Sequence, residues 1–327
     1  MGASPTIAEI ADRVGIWAGD ASGRFTLAYN KPPATSAMDL FNRVCITEEA
    51  KLLTERFAGI KGIAELQSFT GKVDYRGLDD WTVTAISDEY AGGLKMTYKQ
   101  MKADEKNLKK LMALPELLAL KAQRKRFELL ASAIEDNGTW GVDSKALFAD
   151  DHEFGDNNLA VTVSSTTLPT EADVGLILNA ARNAFGSFTD DHGNKLNEIT
   201  ETQDLVIMHP AAWNDAMRRV RRQSLLPRSS SAIDNIDSGT FLPWNFPRLT
   251  SSTVLYAFTV DAQDSEGNPL GDSAPFVRTE FEPYGIEVGG GPDDSVYRNN
   301  REVEVNTYGI EGVTGLDCTR MCKITVS

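Results

Sequence analysis

The chain has 327 residues, 41% apolar and 24% charged, with 47 acidic against 33 basic side chains and a net charge of −14. That composition excludes an intrinsically disordered chain, and the length leaves room for two or three lobes. The negative balance excludes the electrostatic signature of a sequence-specific nucleic-acid reader.

No run approaches the roughly 18 apolar residues that a membrane span needs. Met1-Gly2-Ala3-Ser4-Pro5 does not open a basic-then-apolar secretion signal. Cys45, Cys318 and Cys322 are sparse and odd in number, which fits a reducing cytoplasm better than a disulfide framework.

Residues 1–65 read as an N-terminal arm. Ile7, Ile10, Ala11 and Val14 have the i, i+3, i+4, i+7 spacing of an amphipathic helix. Gly15 to Pro33 shows no sustained period and predicts extended chain with a turn at Lys31-Pro32-Pro33. A second helix is predicted from Ser36 to about Phe57.

Residues 66–102 predict an extended β-hairpin loop. Phe69–Tyr75 and Trp81–Ile86 read as strands, and Leu94–Met101 alternates apolar and polar over its length. Nothing nearby in sequence covers its apolar face, and isolated two-stranded ribbons are marginal in water. A neighbouring subunit is therefore expected to bury Val83, Met96 and Tyr98.

Residues 103–165 hold the strongest helical signal. Leu108, Leu111, Met112, Leu118, Phe127, Leu130 and Ile134 recur at helical spacing. Asp104 and Glu105 suit its start, and Asn137-Gly138 its stop. A helix over 104–136 at ~1.5 Å per residue would be a rod of roughly 50 Å, bent at Pro115.

Residues 166–300 read as an α/β lobe. A helix begins at Thr170 and carries Val174, Ile177, Leu178, Ala181 and Phe185 on one face. Asp204–Met208 is a buried strand, and Pro210 opens a helix with Trp213, Ala216, Met217 and Val220 on one side. Ser224–Ser238 predicts a mobile polar loop; Thr253–Val260, Phe276–Phe281 and Tyr284–Val288 predict strands. Residues 301–327, with strands at Glu302–Tyr308 and Met321–Val326, are expected to return to the 103–165 domain.

This order resembles the Hong Kong 97-type fold of tailed-phage major capsid proteins, an α+β fold. Its parts are an N-arm, an extended β-hairpin loop, a peripheral domain with a long spine helix, and an axial α/β domain. Three stretches look similar to the Mu-type major head subunit family: Gly71–Ala85 leading into Lys95–Glu105, Lys145–His152, and Glu302–Gly309. The resemblance implies a structural subunit that assembles with itself as hexamers and pentamers into an icosahedral head. It implies double-stranded DNA enclosed without specific binding, and portal, decoration and scaffolding proteins as further partners. No scaffolding-like coiled segment precedes the arm, so scaffolding would be separate or cleaved away. The implied location is the virion, after synthesis and assembly in the bacterial host cytoplasm, with no membrane partner. An encapsulin-like compartment around cargo enzymes is the nearest rival, and a cytosolic enzyme with an unrecognised site a further one.

Several residue groups could carry chemistry beside this reading. Cys318 and Cys322 lack the second ligand pair that zinc requires, and His152, His192 and His209 do not supply it by spacing; the cysteines read as small apolar residues near a terminal strand. Asp190-Asp191-His192-Gly193-Asn194 and Asp261–Asp272 offer oxygen ligands. In the latter, Asp264, Glu266 and Asn268 alternate, but Pro269 stands where an EF-hand needs glycine, so both read as turns. Gly289-Gly290-Gly291-Pro292 lacks the Gly-Lys-Ser/Thr of a phosphate loop, and no G-x-S-x-G occurs.

Arg218-Arg219-Val220-Arg221-Arg222 has three readings: a helix terminus complementing its dipole, contact with an acidic neighbouring subunit, or contact with DNA. No catalytic, cofactor-binding or metal residue is assigned, no cofactor is expected, and no lysine–asparagine cross-link is expected. The arm should serve assembly more than folding, because residues 18–35 lack a period while Trp17, Phe25, Leu27 and Tyr29 offer apolar surface. On this reading, deleting residues 1–35 leaves a soluble, cooperatively melting chain that no longer closes into shells.

Overall fold

Trp17, Ala21 and Phe25 lie four residues apart, and that stripe decides the first element. In a computed structural model, which describes residues 7–30, 36–61, 79–103, 105–140, 143–189, 195, 203–225, 241–261, 274–289 and 302–327, Ile7–Asn30 is one helix, α1. The expected extended segment from Gly15 to Asn30 is thus helical. Gly19 and Gly23 cost about 1 kcal/mol each in a helix. Burying Trp17 and Phe25, both at most 5% exposed, returns roughly 2–3 kcal/mol each, so the stripe wins. The indole of Trp17 donates to the Met112 carbonyl at 3.3 Å, and Gln123 donates to the Ala28 and Tyr29 carbonyls at the helix end.

Helix α2 (Ser36–Val44) buries Leu40, Phe41 and Val44 and stops well short of Phe57. The chain turns directly into β1 (Cys45–Glu49), then β2 (Thr54–Lys61). Strand β3 (Asp79–Ile86) pairs antiparallel with β2, from Thr54 opposite Ile86 to Lys61 opposite Asp79. The expected partner, Phe69–Tyr75, lies outside the described residues.

Strand β4 (Asp88–Thr97) belongs to another sheet, and Tyr98 begins helix α3 (Tyr98–Ala103) instead of continuing the strand. Reciprocal hydrogen bonds between Thr97 and Gln100 cap it. Val83 and Tyr98 are 3% and 1% exposed within the single chain, against the expectation that a neighbour buries them. Met96 is half-buried.

Pro115 breaks the long helix outright. Helix α4 (Glu105–Met112) ends at Ala113, whose N–H is shared between the Lys109 and Lys110 carbonyls, and α5 (Leu114–Glu135) begins with the proline in its first turn. The 22 residues of α5 give a spine of about 33 Å, shorter than the single rod expected. Asn137, at a φ of 46°, ends it as predicted, and its side chain grips both backbone polar groups of Phe148.

The second half builds β5 (Asn158–Val161), α6 (Glu171–Ser187), β6 (Gln203–His209), a short 3-10 turn at Ala211–Trp213, α7 (Asn214–Leu225), β7 (Phe241–Asn245), β8 (Val254–Asp261), β9 (Phe276–Gly289), β10 (Glu302–Gly315) and β11 (Met321–Val326). Two larger sheets result, ordered β1-β9-β10-β4 and β5-β11-β8-β6-β7, beside the β2–β3 ribbon. The strands predicted at Phe276–Phe281 and Tyr284–Val288 are one strand: Pro283 sits where the β9–β10 register shifts, and β9 has lost β1 as a neighbour beyond Glu280. Within 301–327, β10 pairs with β9 and β4, while β11 inserts between β5 and β8 in the other sheet. Of the expected mobile loop Ser224–Ser238, Ser224 and Leu225 end α7, and residues 226–238 lie outside the described residues.

Two apolar clusters hold these layers. The larger lies around the five-stranded sheet, α6 and α7; the smaller unites Trp17, Phe25, Tyr98, Met101, Leu111 and Leu118 with Val303 and Val305 of β10. Helix α1 is therefore part of a core. Deleting residues 1–35 is now expected to lower the melting midpoint by well over ten degrees or abolish soluble expression. A deletion variant melting like the full chain would contradict that core role.

The Arg278 guanidinium is 2% exposed, with its Nε and Nη2 at 2.7 and 2.6 Å from Glu311 Oε2 and Nη1 at 3.1 Å from Glu280 Oε2. Nearby, the Arg126 guanidinium donates to the Tyr29 hydroxyl and covers its ring. Burial, then the Glu311 charge, push the Tyr284 hydroxyl far above its ordinary pKa. Removing the carboxylate by Glu311→Ala should cost about 3–5 kcal/mol, because a buried guanidinium loses the nearer of its two counter-charges. Replacing Arg278 and Glu311 together by Met and Leu should recover most of that loss in chemical denaturation.

Helix α6 starts with a capping box at Thr170 and Asp173. Burial raises the Asp173 pKa, but hydrogen bonds from the amides and hydroxyls of Ser164 and Thr170 at 2.7–2.8 Å outweigh it and hold it at about 2, down from 3.8. A depressed folded-state value contributes stability that is full above the unfolded pKa and lost as pH falls from about 4 to about 2. The contribution is about 2 kcal/mol. Asp173→Asn should flatten that part of the acid-unfolding curve.

Candidate assembly surfaces

The β2–β3 ribbon is rooted in the chain, and near that root one of its faces is exposed. Val83 and Ala85 point inward and are buried, while Thr82, Thr84 and Ile86 on the opposite face are exposed. At the root, Ser87 N–H donates to the Leu53 carbonyl at 2.8 Å, and its hydroxyl meets that of Thr279 at 2.7 Å. The Ala50 N–H donates to the Glu280 carbonyl at 3.0 Å. A Cβ at Gly312 would collide with the Ile86 carbonyl, so only glycine lets β10 pass this close beneath β3. These links place Leu52, Leu53, Ile86 and Phe281, all exposed, around one corner. Grouped exposed apolar side chains mark a surface made to be covered. Further exposed apolar residues stand on α1 (Ile16, Leu27) and on the outward face of α5 (Leu117, Leu120).

Charge is also unevenly placed. Helix α7 buries Ala216, Met217 and Val220, which turns Arg218, Arg219 and Arg221 outward. Arg219 lies 3.4 Å from Glu171 at the start of α6, an internal partner that the run of arginines did not disclose. The Arg222 side chain lies outside the described residues. Asp150, Asp151, Glu153 and Asp156 are exposed around the inward-facing His152 and Phe154.

The residues weighed for chemistry do not converge. Cys318 and Cys322 are buried in the larger core, where burial drives both thiols up, the placement read from the sequence. His152 Nδ1 is 2.5 Å from Asp143 Oδ2, with the ring stacked on Phe154. His209 meets the Pro210 carbonyl at 3.0 Å, and burial lowers its pKa. Among the described residues no three His, Cys, Asp or Glu side chains could hold a metal together, and no helix is long and apolar enough to cross a membrane. His192, the rest of 190–194, the acidic stretch 262–272 and Gly290-Gly291-Pro292 lie outside the described residues. A half-open cleft of about 280 Å³ between Val83, Trp140, Leu147 and Val313 has Asp136 as its one charged lining residue.

No curated protein matches the sequence. Among solved structures, the capsid of the cyanophage P-SCSP1u superposes with a TM-score of 0.53 at 8% identity, covering 88% of each chain. A structure from Mycobacterium phage Patience gives 0.51 at 12% identity over 96% of this chain and 88% of its own. The mature capsid of bacteriophage PhiM1 gives 0.51 at 9% identity over 91% and 89%. At such identities these likenesses establish the fold, the Hong Kong 97-type capsid fold that the order of elements resembles. The family model of phage capsid proteins matches residues 82–312, a span from the ribbon's second strand through the buried Glu311, and the chain accordingly belongs to the phage capsid protein family.

Proposed function

We propose that this capsid subunit assembles through hexamers and pentamers into a closed icosahedral head around double-stranded DNA, in the cytoplasm of a bacterial host, without a catalytic step of its own. The carrying observation is the β2–β3 ribbon. Its root is fixed by buried Val83 and Ala85 and the Ser87–Thr279 bond, yet Leu53, Ile86 and Phe281 beside it stay exposed in the single chain. A ribbon of two strands needs cover, and a neighbouring subunit supplies it. The residues 66–102 assigned to an extended loop are better drawn as the ribbon from Thr54 to Ile86, with β4 given to the four-stranded sheet. A net charge of −14 suits an inner wall that must not hold its genome fast. Portal, decoration and scaffolding proteins are the further partners of this reading.

Negative-stain microscopy of the purified chain should show closed particles, and nuclease-protected DNA in particles from infected cells would separate a head from a compartment loaded with enzymes. Leu53→Asp combined with Ile86→Asp should leave the melting midpoint within a few degrees of wild type, since both side chains are exposed, while particle formation is lost. Normal particles from this variant would remove the ribbon root from the assembly interface.

A further inference from the structure

The five-stranded sheet carries opposite charge at its two edges, and we propose that these edges meet between neighbouring copies, Arg218 and Arg221 of one subunit facing the Asp150–Asp156 loop of the next. This rests on the shell reading above and names one contact within it. The positive edge is helix α7, which packs against β7, one edge of the sheet. The negative loop runs straight into β5, the opposite edge. Four strand spacings of ~4.8 Å separate the two edges by about 19 Å.

Helix α6 gives the same separation independently. Its first residue, Glu171, holds Arg219, while Phe154 packs on Phe188 just beyond its last residue, with ring centroids 5.1 Å apart, and accepts a hydrogen bond from Thr189. Seventeen residues set those ends about 25 Å apart. The two charged groups therefore cannot neutralise one another within a chain.

Symmetry selects the partner. A two-fold contact through either edge would set arginine against arginine or carboxylate against carboxylate. A head-to-tail contact sets opposite signs together at every junction and, where its rotation closes, builds a ring. Between copies that repel one another overall, such paired patches fix which surfaces meet. A DNA contact would use only the arginines, and the outward face of α7 brings no aromatic side chain to them.

The test uses the full chain. Asp151 lies 3.4 Å from Lys145 and Arg219 lies 3.4 Å from Glu171, and both are left unchanged. Arg218→Glu with Arg221→Glu should cut particle yield about tenfold in sedimentation and microscopy at low salt, and Asp150→Lys with Asp156→Lys should do the same. All four substitutions in one chain should restore yield to within about twofold, and each variant should melt like wild type. Wild-type chain that never assembles overturns the shell reading itself. Wild-type assembly with undiminished assembly of the double variants, or no rescue in the quadruple variant, overturns this contact alone. Normal particles that retain less DNA in the arginine variant also overturn it, and assign the cluster to the genome.

Discussion

Every layer around the four-stranded sheet meets at the buried pair of Arg278 and Glu311. Two charges leave water only if their attraction and hydrogen bonds offset desolvation, and such pairs are poor sources of net stability. What this pair contributes is position. Arg278 stands opposite Val313 in the β9–β10 register, which places Glu311 diagonally across on the same face. A slip of either strand by one residue would turn one partner to the other face and leave a bare charge inside. The register of two 14-residue strands is thereby held against slippage, including across the irregularity at Tyr308–Glu311.

That register places the assembly surfaces. Glu280, the guanidinium's second partner, lies at the end of β1 pairing, and its carbonyl receives Ala50. Thr279 receives Ser87, and Gly312 leaves space for the Ile86 carbonyl. The ribbon root and its exposed apolar corner are aimed by atoms one or two residues from the ion pair. Helix α1 enters the same junction through Tyr29, whose ring packs near Tyr284 and whose hydroxyl meets Arg126. Core and interface are thus fixed by one polar knot, with the apolar clusters on either side supplying the bulk of the burial.

The sequence was legible where local chemistry and tertiary demand agree. Helix α6 could be read from Thr170 because its capping box is local, and the end of α5 from Asn137 because the left-handed turn needs that residue type. Legibility failed where long-range pairing overrides propensity. Glu48-Glu49-Ala50-Lys51-Leu52-Leu53-Thr54-Glu55-Arg56 is rich in helix formers, yet it runs from β1 through a turn into β2, because partners at least 28 residues away supply the ladder hydrogen bonds. In α1 the stripe from Trp17 to Phe25 is buried, and it outweighs Gly19 and Gly23, whose helix propensity is poor. The Arg278–Glu311 pair could not be read at all, since no local pattern marks a glutamate 33 residues downstream as the partner of an arginine. The Arg218–Arg222 cluster was visible as charge, but its relation to the Asp150–Asp156 loop needed the sheet order that sets them on opposite edges.

A shell subunit has to stay soluble alone and yet bind copies of itself, and the distribution of surface here addresses both demands. Net charge of −14 keeps free subunits apart at long range, while exposed Leu52, Leu53, Ile86 and Phe281 near the ribbon root provide attraction only at contact. Screening over about 8–10 Å at physiological ionic strength weakens the repulsion between distant surfaces but not the desolvation of an apolar corner once it is covered. Apolar contact is non-directional and would by itself permit wrong dockings. Directional information has to come from groups whose mispairing is penalised, and on this chain the charged edges of the five-stranded sheet satisfy that condition. The division of labour is therefore apolar cover for affinity and edge charge for orientation, both referred to the strand register set by the buried ion pair.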